Sequence, residues 1–185
     1  LKLGNKFVKT IFLFSYPRYL STGWFSPIIN LPELTDIAIH IYPIDTALAL
    51  KNLKRKVTQI ESQLIEQEEK GLIRNPVLET AYQDVEALRD ALQQSRENLF
   101  NIGVYLTLYA SSLEELNKLE SQVTHLLESR LVSAKTAVFQ QLEGLNSTLP
   151  MGLDKLSITN PLNSNPASSF FPFVSADLTS DNGIL

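Results

Sequence analysis

Two histidines and two acidic runs carry the side chains that could do acid–base or metal chemistry. His40 and His125 lie far apart in the chain, and a metal or proton-transfer site would need further ligands beside them. The acids of EQEEK and EELNKLE, residues 66–70 and 114–120, have the spacing of solvent-facing helix surfaces. We therefore favour a strand histidine and a helix-surface histidine over a site. An enzyme with a carboxylate site is the least supported hypothesis.

The motifs that bind nucleotides or supply a nucleophile are missing from the sequence. A P-loop requires G-x-x-x-x-G-K-[ST], and LGNKFVKT, residues 3–10, lacks the second glycine. There is no G-x-G-x-x-G, H-E-x-x-H, G-x-S-x-G or EF-hand loop, and there is no cysteine for a thiolate site. The sequence therefore predicts a non-catalytic chain without a cofactor of its own.

Composition predicts a folded, cytosolic chain with no strong attraction to nucleic acid. Its 185 residues, of which 44% are hydrophobic, are enough to bury a sizeable core. The formal net charge of −4 opposes direct binding to nucleic acid, which usually needs a basic face. No stretch approaches the ~18 apolar residues of a membrane span, and no secretory signal is evident. Membrane association would therefore come through partners or a surface patch.

Four segments have the β-branched and aromatic composition of strands. FVKTIFLFSYPRYL, residues 7–20, is closed by a proline, and TDIAIHIYPID, residues 35–45, alternates isoleucines with other side chains. LFNIGVYLTLYA, residues 99–110, places its aliphatic side chains on one face. A short fourth strand is predicted within RLVSAKT, residues 130–136.

Two long helices are predicted between the second and third of these strands. Asp45 stands at an N-cap position, and apolar residues then recur every three or four positions as far as Leu64, before Gly71. A second such series runs from Leu78 to Leu92. The short connection predicts an antiparallel helix hairpin, which serves either as a docking arm or as core laid across the sheet.

The element order predicts an α+β fold. Ser112 and Glu115 have the spacing of a capping box for a further helix, and AVFQQLEGLNSTLP, residues 137–150, predicts a last helix that ends near Asn146, before Pro150. The fold class is a small mixed or antiparallel sheet, ferredoxin-like, with helices on one face and the long antiparallel helix hairpin inserted. Residues 1–150 form the α+β domain, and residues 151–185, rich in Pro, Asn and Ser, form a linker.

Three groups of side chains are candidates for packing or for partner binding. Trp24 and Phe25 lie in a Pro/Gly loop, as an exposed interaction anchor or as a cap on the core. A basic group opens the first long helix and suits an acidic partner, an anionic membrane surface or a solvated face. Its members are Lys51, Lys54, Arg55 and Lys56. In the linker, three phenylalanines are expected to pack on this domain or on a further one: Phe170, Phe171 and Phe173.

Several segments, taken in order, resemble one family of secretion motors. TIFLFSYPRYLSTGWFSPIINLPELTDIAIHIYPID, residues 10–45, resembles the opening of the TraC-like conjugative-transfer ATPases of type IV secretion systems. FNIGVYLTLYASSLEELNKLESQV, residues 100–123, resembles their strand and helix, and AKTAVFQQLEGLNSTLPMG, residues 134–152, their Q-x-x-G/A-x-x-S-x-L-P-x-G segment. FFPFVSADLTSDNGIL, residues 170–185, resembles the run that leads into their motor domain.

The resemblance implies an N-terminal docking and assembly domain, cytoplasmic and peripheral at the inner face of the cell membrane. Its partners would be inner-membrane components of the secretion complex, its own RecA-like motor and further copies, typically in a hexamer. ATP and magnesium would bind only in a motor domain beyond Leu185, so residues 1–150 would be non-catalytic. The residues alone leave an alternative, a free-standing adaptor whose helix hairpin binds a partner helix.

Overall fold

The computed structural model describes residues 1–71 and 75–171 and has a mixed α+β architecture, which confirms the predicted class. Its strands are β1 (Lys2–Leu3), β2 (Lys6–Ser15), β3 (Thr35–Pro43), β4 (Leu99–Ala110), β5 (Ser133–Thr136) and β6 (Asn160–Asn163). Its helices are α1 (Ser26–Ile29), α2 (Thr46–Glu69), α3 (Pro76–Gln93), α4 (Leu113–Glu128), α5 (Gln141–Thr148) and α6 (Ser164–Ser168).

Strands that are distant in sequence meet at the centre of the sheet. The order is β1-β2-β4-β3, with β5 also paired to β2 and β6 also paired to β4. β2 is antiparallel both to β4 and to β5. β3 and β4 also run in opposite directions, because the amide of Tyr109 donates to Leu34 O (3.3 Å) and the amide of Ile44 donates to Leu99 O (2.9 Å).

The sheet carries helices on both faces, so the expectation of helices on one face is wrong. Neighbouring residues of a strand point to opposite faces. Lys9 Nζ lies 2.6 Å from Glu120 Oε2 of α4. The next residue, Thr10, lies against Gly144 of α5, where an added β-carbon would be 2.7 Å from Thr10 Cβ. β4 is accordingly buried on both faces through residues 102–108.

Residues that follow position 150 pack against the sheet, where the sequence predicts the start of a linker. The Tyr105 hydroxyl donates to Asp154 Oδ1 (2.8 Å) and accepts from the amide of Ile158 (3.1 Å). Leu156 is buried beside Tyr105. Residues 154–158 therefore belong to the same compact unit as residues 102–110 of β4.

The described chain forms two compact units. The first contains Leu1–Ile41, Ile102–Asn160 and the described residues from 166 onward. Within it, α4 begins as predicted: Ser112 Oγ accepts from the amide of Glu115 (3.1 Å), and Glu115 Oε2 accepts from the amide of Ser111 (3.0 Å). The side chains that α4 buries are Leu116, Leu119, Val123 and Leu127.

The second unit contains Tyr42–Asn101 and Pro161–Asn165. Its helices α2 and α3 contact each other. Asp45 caps α2 as the sequence predicts, because its Oδ1 accepts from the amide of Leu48 (2.8 Å). Gly71 follows the end of α2 with a φ of +61°, a conformation that glycine adopts without steric cost.

Candidate interaction surface

Trp24 and Phe25 are both buried, each with 2% of its surface exposed. The Trp24 ring centroid lies 5.0 Å from that of Phe25 and 5.1 Å from that of Phe170. Trp24 Nε1 donates to Ser169 Oγ at 3.2 Å, so the segment before residue 171 covers the pair. The prediction of an exposed anchor is therefore wrong. The two side chains belong to the core, which is the alternative that the sequence leaves open.

The three phenylalanines of the predicted linker have different outcomes. Phe170 is 2% exposed and packs on this domain as expected. Phe171 is 64% exposed. Phe173 lies outside the described residues. One of the three therefore closes the aromatic cluster of the first unit.

The basic residues Lys51, Lys54, Arg55 and Lys56 are all exposed on the first half of α2. Lys51 and Lys54 border a cleft of about 510 Å³, whose other lining residues are Leu50, Arg89 and Gln93. The Arg89 guanidinium donates to Asp90 (3.0 Å), and this hydrogen bond raises the Arg89 pKa above its ordinary value. The surface therefore presents three exposed ammonium groups and the Arg55 guanidinium, which suit either an anionic partner or a solvated face.

The two histidines lie in different settings within the first unit. His40 Nε2 donates to Ser147 O at 2.8 Å, and its ring lies 5.4 Å from the Tyr105 ring. His125 is exposed in the last turn of α4. Within residues 1–71 and 75–171, no group of three or more His, Cys, Asp or Glu side chains is placed to hold a metal ion. None of the described helices is long and apolar enough to cross a membrane.

An exposed apolar surface of the first unit escaped the sequence analysis. Phe139 is fully exposed, at 100%. Three further apolar side chains near the first turns of α4 and α5 are more than half exposed. We call these four residues the Phe139 patch: Leu113, Val138, Phe139 and Leu142.

An apolar groove adjoins the Phe139 patch and has a volume of about 490 Å³. Its apolar walls come from β2, α4, the turn before α5 and the first residue of the chain; they are Leu1, Phe7, Val8, Leu113, Leu116, Val138 and Phe139 itself. Lys9 and Thr136 also line it, but the Lys9 ammonium is paired with Glu120 at 2.6 Å. The Thr136 hydroxyl donates to the other oxygen of the same carboxylate. The polar groups at this wall therefore satisfy one another.

A fixed turn holds Phe139 outward. Phe139 has a φ of +61°, which is unusual for a bulky residue. Gln141 fastens the turn to β2, because its Nε2 donates to Thr10 O (3.1 Å) and to Ala137 O (3.0 Å) while its Oε1 accepts from the amide of Thr10 (2.8 Å). The amide of Ala137 also donates to Thr10 O at 3.0 Å. These bonds over-determine the backbone on both sides of Phe139.

This turn also explains why the last helix begins later than the sequence predicts. The pattern of residues 137–150 predicts a helix from Ala137, whereas α5 begins at Gln141. The side chain of Gln141 bonds β2, an interaction between residues 131 positions apart. No local sequence pattern predicts this interaction.

No protein-family model matches the chain, and no curated protein matches it significantly.

Proposed function

We propose that the chain is a non-catalytic interaction domain, and that it serves as the N-terminal docking and assembly domain of a conjugative-transfer (type IV secretion) ATPase. The observation that carries the proposal is the Phe139 patch. Burying one large apolar side chain is worth roughly 1.5–3 kcal/mol, so four exposed together form a surface that gains from a partner. The backbone that presents Phe139 is fixed, which lowers the entropy lost on binding.

The fold that we propose in finer detail is a ferredoxin-like sheet with an inserted helix hairpin. Without β1 and β6, the other four strands lie in the order β3-β4-β2-β5, and each neighbouring pair is antiparallel. Numbered along the chain, this order is second, third, first and fourth, as in ferredoxin-like folds. It supports that assignment.

The second unit supports the hairpin. Residues 50–54 near the start of α2 share a cleft with Arg89 and Gln93 near the end of α3. Residues 63–70 near the end of α2 share another with Leu78 near the start of α3. This arrangement is that of antiparallel helices joined by a short connection.

The proposed partners are the inner-membrane components of the secretion complex, the chain's own motor domain and further copies, in a hexamer for the whole protein. The proposed location is cytoplasmic and peripheral at the inner face of the membrane. Lys51, Lys54, Arg55 and Lys56 are the candidates for contact with an acidic partner, because they are exposed on one half of α2.

The test is to read the parent gene beyond Leu185 and to assay Mg²⁺-dependent ATP hydrolysis by this chain and by the whole protein. We expect a G-x-x-x-x-G-K-[ST] segment downstream, hydrolysis only by the whole protein, and loss of hydrolysis when the lysine of that segment is changed to alanine. Hydrolysis by the 185-residue chain alone would refute the non-catalytic role.

A second candidate function is a free-standing adaptor. It is favoured by three apolar side chains on α2 and α3 that are at least half exposed: Leu48, Ile65 and Val77. Such residues suit a partner helix laid along the pair. A gene that encodes no P-loop after Leu185 would favour the adaptor over the docking domain.

A further inference from the structure

We propose that the Phe139 patch binds a second copy of this chain, with each copy inserting its Phe139 into the apolar groove of the other. The inference rests on the proposed function, since it assigns a surface and a partner to the assembly role. It does not depend on the motor domain, because every residue it uses lies in the first unit.

The first step of the argument is the conformation of Phe139. A bulky residue in the left-handed region is strained, and such strain persists only where the surrounding structure fixes the backbone. Contacts of its own ring do not offset this strain, because the side chain is 100% exposed. The turn bonds made by Gln141 therefore hold an aromatic ring in solvent at a cost in free energy.

The second step is the chemistry of the groove. Its walls are largely apolar, and the Lys9 ammonium at its wall is already paired with Glu120 at 2.6 Å. The Lys2 ammonium lies over the Phe7 ring, 5.7 Å from its centroid. An occupant therefore needs no charge of its own. An aromatic ring meets that requirement, and the chain presents one at the rim of the groove.

The third step is symmetry. A projecting ring and an apolar groove that share one surface are what an isologous dimer requires, because one two-fold rotation makes both insertions at once. A ring and a groove on separate surfaces would instead build open chains of copies. Their adjacency therefore favours a closed pair.

The charges around the patch favour a second copy of the chain over a lipid surface as the partner. Lys2 lines the groove, and Glu114 and Glu143 follow the patch residues Leu113 and Leu142 in the first turns of α4 and α5. A rim of both signs can match itself across a two-fold axis. An anionic membrane would instead repel the two glutamates.

The size of the surface predicts a weak dimer. Two phenylalanine rings together remove ~300–500 Å² from solvent. A stable interface needs ~1,200–2,000 Å², so the remainder must come from the other patch residues and the groove walls. We expect a dissociation constant on the order of micromolar or weaker, with rapid exchange.

The experiment is sedimentation equilibrium of the 185-residue chain over roughly 1 µM to 1 mM, with two matched variants. Phe139→Asn removes the ring while suiting the left-handed backbone. Leu131→Asn is the control, because Leu131 is also exposed, at 75%, and also left-handed, with φ +58°, but does not line the groove.

We expect the wild-type mass to rise from 20.8 kDa toward twice that value with concentration. Phe139→Asn should weaken the dimer at least ~10-fold, and Leu131→Asn should leave it within ~2-fold. Leu113→Asp, at a groove wall, should weaken it as well. Circular dichroism and urea midpoints check that each variant is folded.

Two results would overturn the inference: a chain that stays monomeric throughout, or a dimer that Phe139→Asn does not weaken. A monomer that cosediments with phosphatidylglycerol vesicles in a Phe139-dependent way would likewise overturn it in favour of lipid. The docking-domain proposal has a separate test, since it fails if no P-loop follows Leu185. A dimer in a gene without that motif would keep the inference and remove the motor.

Discussion

Replacing Phe170 by alanine should loosen the part of the first unit that encloses the only tryptophan of the chain. The Phe170 ring centroid lies 5.1 Å from that of Trp24, 5.5 Å from that of Tyr16 and 6.4 Å from that of Phe25. Because Phe170 is 2% exposed, truncation removes a buried ring from the middle of an aromatic cluster. The variant therefore tests whether residues 166–171 belong to the folded core.

The expected loss of unfolding free energy is about 3 kcal/mol. Truncating a buried phenylalanine to alanine costs ~3–5 kcal/mol, and a site that can partly collapse falls at the lower end. A urea m-value of ~2 kcal/mol/M, typical of a small domain, converts this loss into a midpoint that is lower by about 1.5 M.

The assay is urea unfolding followed by the fluorescence of Trp24. The control is Phe171→Ala, because the neighbouring ring is 64% exposed and its removal should cost less than ~1 kcal/mol. In the folded state, Phe170→Ala should also shift the Trp24 emission to longer wavelength, since water gains access to the indole. Equal midpoints for the two variants, with unchanged emission, would show that the cluster does not form.

Two further perturbations test the core. Gly144→Ala should lower the free energy of unfolding by about 1 kcal/mol, because the new β-carbon would lie 2.7 Å from the buried Thr10 Cβ. Overpacking of this kind costs ~1–3 kcal/mol, which exceeds the ~1 kcal/mol that alanine gains in helix propensity. The measurement is thermal unfolding, and a raised melting temperature would contradict the packing of α5 on β2. Burial raises the pKa of Tyr16 above its ordinary value of 10.0, so the native state favours the neutral hydroxyl. The stabilisation that the neutral Tyr16 hydroxyl gives the native state is therefore complete below pH ~10, and the free energy of unfolding falls at higher pH by up to ~1.4 kcal/mol per pH unit. Tyr16→Phe should abolish this loss of stability at alkaline pH. It should also raise the free energy of unfolding by ~1 kcal/mol at neutral pH, because the buried hydroxyl has no hydrogen-bond partner among residues 1–71 and 75–171. If urea unfolding shows that the Tyr16→Phe protein is less stable, the hydroxyl has a partner.

Local interactions explain what the sequence could predict. The bounds of β4 follow from its run of β-branched and aromatic residues, and its ends match residues 99–110. The starts of α2 and α4 follow from side chains that bond amides three residues later, at Asp45 and Ser112. Such bonds join near neighbours, so a single segment contains the whole signal.

Contacts between distant segments explain the misses. The burial of Trp24 depends on Phe170, at the far end of the described chain, and nothing within the Pro/Gly loop reveals that cover. The second helix-bearing face of the sheet depends on Gly144 fitting against Thr10. The basic group on α2 was predictable because a charged helix face needs only local spacing, whereas the exposure of Phe139 depends on bonds between Gln141 and β2.

The pairing of β2 with β4 has a consequence for synthesis on the ribosome. Ile11 of β2 lies opposite Leu106 of β4. About 95 further residues, the difference between the two positions, must therefore be synthesised after Ile11 before its partner exists. At ~5–20 residues per second, that interval is roughly 5–20 s. During it, the apolar run of residues 11–14 has no β4 to pair with, while α2 and α3 can already form from local contacts. Slower translation between these strands would lengthen the time in which a nascent chain is open to aggregation or to capture by a chaperone.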